Sequence, residues 1–209
     1  MEKQEIRTFG RRHGKKLSAR KNLLMENILP KLAPNESEHI DILEIGFGAG
    51  EHVRELALAN PNKIILGAEP FENGIAALLS AICDDNNIVN DEYKNIRIWP
   101  DDVRLILNKN QFSFSEIWVL HPDPWPKARH EKRRLLSAEF LNILSKHLAS
   151  DGKIIIGTDH WGYYDWIIEQ IPNTKLNIND SEIKIITTRY QKKNMAETAA
   201  PKYLVLTKH

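Results

Sequence analysis

The stretch that most constrains this chain is Ile42-Leu43-Glu44-Ile45-Gly46-Phe47-Gly48-Ala49-Gly50. A short apolar run, interrupted by one acid and followed by glycine at every second position, reads as a buried strand entering a tight turn free of side chains. A helical pattern from Glu51 to Ala59 follows directly. Glycine suits such a turn because positive φ and close approach of a ligand to the backbone both exclude a Cβ. The turn therefore predicts a cofactor cradle at the end of the first strand of an α/β sheet; an ordinary strand-turn-helix connection is the plainer alternative.

The glycine spacing discriminates between cofactors. A dinucleotide site wants G-x-G-x-x-G, with a pyrophosphate on the helix N-terminus. Here the third glycine comes one residue early and Glu44 precedes the first by two. An acid there repels a pyrophosphate and suits the ammonium and sulfonium of S-adenosylmethionine. The next apolar run, Lys63 to Glu69, ends in a second acid, placed to accept from both ribose hydroxyls. Gly46, Gly48, Gly50, Glu44 and Glu69 thus form a candidate adenosyl-cofactor site.

At 209 residues the chain has room for one α/β domain with a full core. Hydrophobic residues make up 42% and charged residues 27%, as in soluble globular proteins, and no membrane span or membrane partner is expected. Met1 to Lys21 has charge without an apolar core, so it is not read as a secretory signal, and Glu2 and Glu5 argue against an organellar presequence. The single Cys83 cannot form an internal disulfide and points to a reducing compartment, so a cytoplasmic location is expected. No Cys- or His-rich spacing calls for a metal.

Net charge is only +1, yet its distribution is uneven. Met1 to Lys21 holds eight Lys and Arg against two Glu, and Lys127 to Arg134 five against one. The first run, containing Arg11 and Arg12, has no helical period and is expected to be a mobile arm that a polyanion orders. A merely solvated terminus is the alternative.

Strand and helix patterns then alternate. Helical spacing of Leu23, Leu24, Ile28, Leu29 and Leu32 runs up to Pro34. Strands are expected at Ile42 to Ile45, Lys63 to Glu69, Ile96 to Trp99, Glu116 to His121 and Lys153 to Ile156. Helices are expected at Glu51 to Ala59, Phe71 to Asp84 and Val103 to Asn108, on the face marked by Leu135, Leu136, Phe140, Leu144 and Leu148, and at Tyr163 to Ile171. Ile183 to Tyr190 and Tyr203 to Thr207 have no helix between them and predict a terminal antiparallel hairpin. The fold class is α/β and Rossmann-like, a mostly parallel seven-stranded sheet with helices on both faces. Ligand loops of such a sheet lie at the carboxyl ends of its strands. Asp101 and Asp102 fall at one of these ends, where either could accept from an adenine amino group or serve as a helix N-cap.

Three prolines within Pro122-Asp123-Pro124-Trp125-Pro126 hold Asp123 and Trp125 in a preset shape. A carboxylate and an indole at the sheet rim can grip a planar base by its edge and face. The basic run that follows, Lys127 to Arg134, reads as phosphate contacts.

The segment Pro122-Asp123-Pro124-Trp125-Pro126-Lys127-Ala128-Arg129-His130-Glu131-Lys132-Arg133-Arg134-Leu135, with Leu43 to Gly50 upstream, resembles the bacterial tRNA (guanine-N7)-methyltransferases, which are class I S-adenosylmethionine-dependent enzymes. The resemblance runs from the basic arm to the final hairpin. It implies methylation of the guanine at position 46 of the tRNA variable loop, with Glu44, Glu69 and Asp102 on the cofactor and Asp123 as the active-site acid. It further implies substrate contacts from Lys127, Asp159 and the segment Thr188-Arg189-Tyr190-Gln191, with Arg129, Arg11 and Arg12 added as basic candidates. Gln191 stands where the family commonly has Glu, a glycine common in the hairpin is replaced near Thr198-Ala199, and His121 replaces an aromatic or small residue.

Guanine N7 has an in-plane lone pair and no proton, so its methylation needs alignment and charge stabilisation rather than a general base. Rival readings are methylation of an exocyclic base nitrogen in RNA and a non-catalytic RNA-binding protein on a methyltransferase scaffold. A nicotinamide dehydrogenase is disfavoured by the glycine spacing and Glu44. The oligomeric state stays open between monomer and homodimer.

Overall fold

The computed structural model describes residues 9–35, 37–180 and 200–209. Its centre is a seven-stranded sheet in the order β3-β2-β1-β4-β5-β7-β6. The strands are β1 (Ile42–Ile45), β2 (Ile65–Ala68), β3 (Ile96–Trp99), β4 (Phe114–Leu120), β5 (Leu148–Thr158), β6 (Leu176–Ile178) and β7 (Lys202–Lys208). Strands β1 to β5 pair in parallel, and β7 runs antiparallel to both β5 and β6.

Every residue of β1 and β2 is buried, because helices cover both faces of a parallel sheet. Helices α1 (Ala19–Asn27), α2 (Glu51–Ala59) and α3 (Glu72–Ile82) contribute to one apolar cluster, with Ile42, Ile65 and Trp118 of the sheet. Helices α4 (Val103–Leu107), α5 (Ala138–Lys146) and α6 (Trp161–Gln170) contribute to the other, with Leu43, Ile45 and Leu66. Alternation along β1 puts Glu44 on the same face as Ile42, under α2 and α3.

Two elements differ from the sequence expectation. Leu135 and Leu136, placed by their spacing on the helix face, precede α5, and Leu148 instead opens β5 and pairs with Phe114; α5 spans only Ala138–Lys146. The periodicity of Leu144 and Leu148 fitted both assignments, since Leu148 is buried as either. The three-residue β6 was not foreseen, having only Leu176 buried and no alternation to announce it. The predicted strand Ile183 to Tyr190 lies outside the described residues, whereas its predicted partner is β7.

The strand order reverses between β1 and β4. Such a switch point leaves a crevice outside the carboxyl ends of the two strands, because the chain departs to opposite faces on either side of it. The loops leaving those two ends are Gly46–Gly50 and His121–Pro126.

Candidate active site

The glycine turn is built as its composition requires. Gly46, Gly48 and Gly50 have φ of 73°, 57° and 76°, a region L side chains rarely adopt. A Cβ built on Gly46 or Gly48 would meet no protein atom within 4 Å, so the turn faces open space. Gly50 differs: its Cβ would press on Leu78 of α3. A fourth glycine, unforeseen in the sequence, completes the cradle. Gly74 lets α3 approach so closely that a Cβ there would collide with the carbonyl oxygen of Gly48. Gly74→Ala is accordingly expected to lower stability by about 1–3 kcal/mol through overpacking, measured by denaturant unfolding; unchanged stability would show that α3 can retreat freely.

Gly46, which opens the turn, lines a cavity of about 840 Å³ with Glu69, and the cavity also reaches Asp101, Asp102, Asp123 and Trp125. Glu69, only 6% exposed, closes the base of the turn. One carboxylate oxygen accepts from Gly48 N–H and the other from Phe71 N–H, both at 2.8 Å. Each oxygen keeps a lone pair for a further donor. Burial raises the Glu69 pKa, the N–H groups of Phe71 and Gly48 oppose this, and the negative charges of Glu44 and Asp123 add to the rise. Three acids therefore share one field around the glycine turn. Glu44 is 3% exposed and pairs with His52 Nδ1 through Oε2 at 2.9 Å. Open space beside two positive-φ glycines, within the field of three carboxylates, fits a cationic ligand better than a pyrophosphate.

The two candidate adenine acceptors have different surroundings. Asp102 is the N-cap of α4: its Oδ1 accepts from Arg104 N–H at 2.9 Å, and Arg104 also grips the carboxylate at 2.7 Å. Its carbonyl accepts from Trp99 Nε1 at 2.9 Å. Asp101 instead pairs with Arg12 of the arm. Within the described part of the arm, Arg12, His13, Gly14 and Lys15 meet Asp101 and the start of α3. The Arg12 carbonyl accepts from Glu72 N–H at 3.0 Å, the Lys15 carbonyl from Asn73 Nδ2 at 2.7 Å, and His13 meets Glu72 at 3.0 Å. Gly14 packs against Asn73 and Phe71 where a side chain would clash. Arg11 is exposed and borders the cavity.

On the far wall, the proline-rich loop carries more strain than its prolines require. His121 and Trp125 flank Asp123 with φ of 49° and 43°. Left-handed conformations of non-glycine residues cost about 1–3 kcal/mol each and persist only where surrounding contacts enforce them. Those contacts are present. His121 N–H donates to the Gly157 carbonyl at 2.7 Å, and its ring lies 3.7 Å from Asp159. The Trp125 ring faces the edge of His130 and the guanidinium of Arg133, which also stands over Phe9. Arg134 donates to the Pro124 carbonyl at 2.9 Å.

Arg134 corrects the reading of the basic run as uniform phosphate contacts. It is 8% exposed and lies over Tyr163 and Trp166. Burial pushes the Tyr163 phenol up to about 12, so it remains neutral, accepting from Leu136 N–H at 3.2 Å. Arg134 therefore anchors the loop from below, while Lys127, Arg129 and Lys132 are exposed. Asp123 is exposed within the cavity, and Asp159 is brought to the same rim through His121. Thr188, Arg189, Tyr190 and Gln191 lie outside the described residues.

Residues 38–200 match a family model described as "Putative methyltransferase". A tRNA (guanine-N(7)-)-methyltransferase of Neorickettsia sennetsu is 36% identical over 195 residues, covering 91% of this chain and 86% of the relative. The chain belongs to the tRNA (guanine-N7)-methyltransferase family. Another relative of the same name, from Paramagnetospirillum magneticum, is 39% identical over 176 residues, covering 77% of this chain and 72% of its own. Among solved structures, "Structure of an Antibiotic Related Methyltransferase" aligns with a TM-score of 0.57 at 14% identity, covering 93% of this chain and 96% of that one. That likeness concerns the fold. Within this tRNA (guanine-N7)-methyltransferase family member, Gly74 and His52 are the site residues that sequence reasoning did not single out, and the anchoring role of Arg134 was hidden within the basic run. Arg134 carried no local signal, because Tyr163 and Trp166 reach it from another element. His52 could have been found: it shares the buried face of α2 with Val53, Leu56 and Ala57.

Proposed function

We propose that the chain transfers the methyl group of S-adenosylmethionine to N7 of guanine in tRNA, at position 46 of the variable loop. The carrying observation is the meeting of the glycine turn, with its carboxylate field, and the strained Asp123 loop across one cavity at the switch point. When bound, S-adenosylmethionine supplies a methyl group made electrophilic by the sulfonium.

The residues divide the remaining work. Glu69 has lone pairs left for the ribose hydroxyls, Glu44 offers negative charge to the amino group, and Asp101 or Asp102 takes the adenine amino group. Guanine N7 attacks through its own lone pair, so no residue need remove a proton. Asp123 holds the base edge and offsets the positive charge that develops on the purine. The backbone around Asp123, constrained by His121, Trp125 and Arg134, keeps this carboxylate from relaxing away, so little reorganisation accompanies the reaction. Lys127, Arg129, Asp159 and Thr188 to Gln191 contact the tRNA.

Labelled methyl transfer to unmodified tRNA, followed by cleavage at N7-methylguanosine, tests this directly. Label at an exocyclic nitrogen, or at another nucleotide, would refute the atom or the position respectively. Phosphate contacts are tested by salt. Arg11→Ala should weaken tRNA binding and lower the log-log salt slope by about 0.7 to 0.9, the value of one lost contact. An unchanged slope would make Arg11 a solvated charge. Arg12→Ala is a less clean variant, because Arg12 also covers Asp101.

A further inference from the structure

We infer that His52 is a positioning residue for the cofactor's amino-acid arm, acting by orienting Glu44. The inference rests on the reading of Glu44 as the acceptor for the cofactor's amino group.

Glu44 lies in β1 between Gly67 of β2 and Trp118 of β4. Neither strand neighbour offers its carboxylate a donor. Gly67 has no side chain, and Trp118 Nε1 is already donated to Glu116 at 2.8 Å. The donor comes instead from α2. His52, 4% exposed, places Nδ1 2.9 Å from Glu44 Oε2. A carboxylate only accepts, so Nδ1 carries the hydrogen. The ring is held in turn by Trp118, with centroids 4.7 Å apart and planes inclined at 58°.

The other ring nitrogen makes this arrangement informative. Among the described residues, His52 Nε2 is buried with no hydrogen-bond partner. A buried polar atom without a partner costs stability, and an aliphatic residue on this face of α2 would avoid that cost. What histidine adds there is a single directed bond to Glu44. That bond occupies Oε2 and leaves Oε1 to meet a ligand, fixing a side chain that otherwise has three rotatable bonds. The glycine turn separates the two residues in sequence, so the same turn that accepts the cofactor also brings the helix residue to the strand residue.

The test is calorimetry with three ligands: S-adenosylmethionine, S-adenosylhomocysteine and methylthioadenosine, which lacks the amino-acid arm. His52→Ala should weaken the first two by about tenfold, the worth of one hydrogen bond to a charged group, and leave methylthioadenosine unchanged. His52→Asn, whose Nδ2 can donate from a similar place, should recover most of the affinity. His52→Phe keeps a ring without a donor and should behave like Ala, which separates the bond from packing if Ala destabilises α2. Equal loss for all three ligands would make His52 structural and overturn the inference. Wild-type affinity in His52→Ala together with lost affinity in Glu44→Gln would also overturn it while leaving Glu44 in place. Wild-type affinity in Glu44→Gln would remove both.

Discussion

Asp123→Ala should lower the single-turnover methylation rate by about 100-fold or more, the order of removing one aimed electrostatic group. The loss should fall on chemistry rather than on tRNA affinity, because Lys127, Arg129 and Lys132 remain exposed beside the loop. Asp123→Asn keeps a side chain that can grip the base edge but removes its charge, so its rate should lie between the two. The loop should keep its shape in both variants, since its restraints come from Gly157, Pro124, Arg133 and Arg134 rather than from the carboxylate. A near-normal rate for Asp123→Ala with saturating tRNA and cofactor would take Asp123 out of the mechanism.

Gly48→Val should eliminate measurable binding of S-adenosylmethionine by calorimetry. Two effects combine. Gly48 has φ of 57°, where a β-branched residue is strained by more than the about 1–2 kcal/mol of an ordinary one. Its side chain would also project into the open space that the turn leaves for a ligand. Relaxing φ would pull Gly48 N–H away from Glu69 and free that carboxylate as well. The sheet should survive, because the substitution touches a rim loop; an unfolding midpoint lowered by less than about 10 °C would agree. Retained affinity would show that the turn is not the cofactor cradle.

The parts of this site that were legible in the sequence are those fixed by short-range sterics. Gly46, Gly48 and Gly50 could be read because positive φ has few chemical solutions, and the proline loop because three rings leave the backbone little freedom. The strand order was legible only as a class, since alternation of patterns predicts a parallel sheet without locating β6, whose three residues bury one side chain. Contacts that arise from packing stayed hidden. The sequence offers Lys127 to Arg134 as five similar cations, and nothing local distinguishes buried Arg134 from exposed Lys132. The same holds in the arm, where nothing local announces that Asn73 and Phe71 lie against Gly14. Asp101 and Asp102 were ambiguous for a sound reason, because an N-cap and a ligand acceptor draw on the same carboxylate chemistry.

The arrangement of indoles around the cavity makes the protein its own optical sensor. Trp99 donates to the backbone of Asp102, on the wall proposed for the cofactor, whereas Trp125 lies under the Arg133 guanidinium on the opposite wall. An adenosyl group arriving at Asp102 and a purine arriving at Asp123 would therefore quench or shift two different emitters. Of five tryptophans, Trp118 lies against His52, whereas Trp166, beneath Arg134, also lines the cavity, so a Trp166→Phe background removes a third emitter. In Trp125→Phe the second channel is silent and the first remains, which would let stopped-flow fluorescence time cofactor loading and base entry separately without an attached dye.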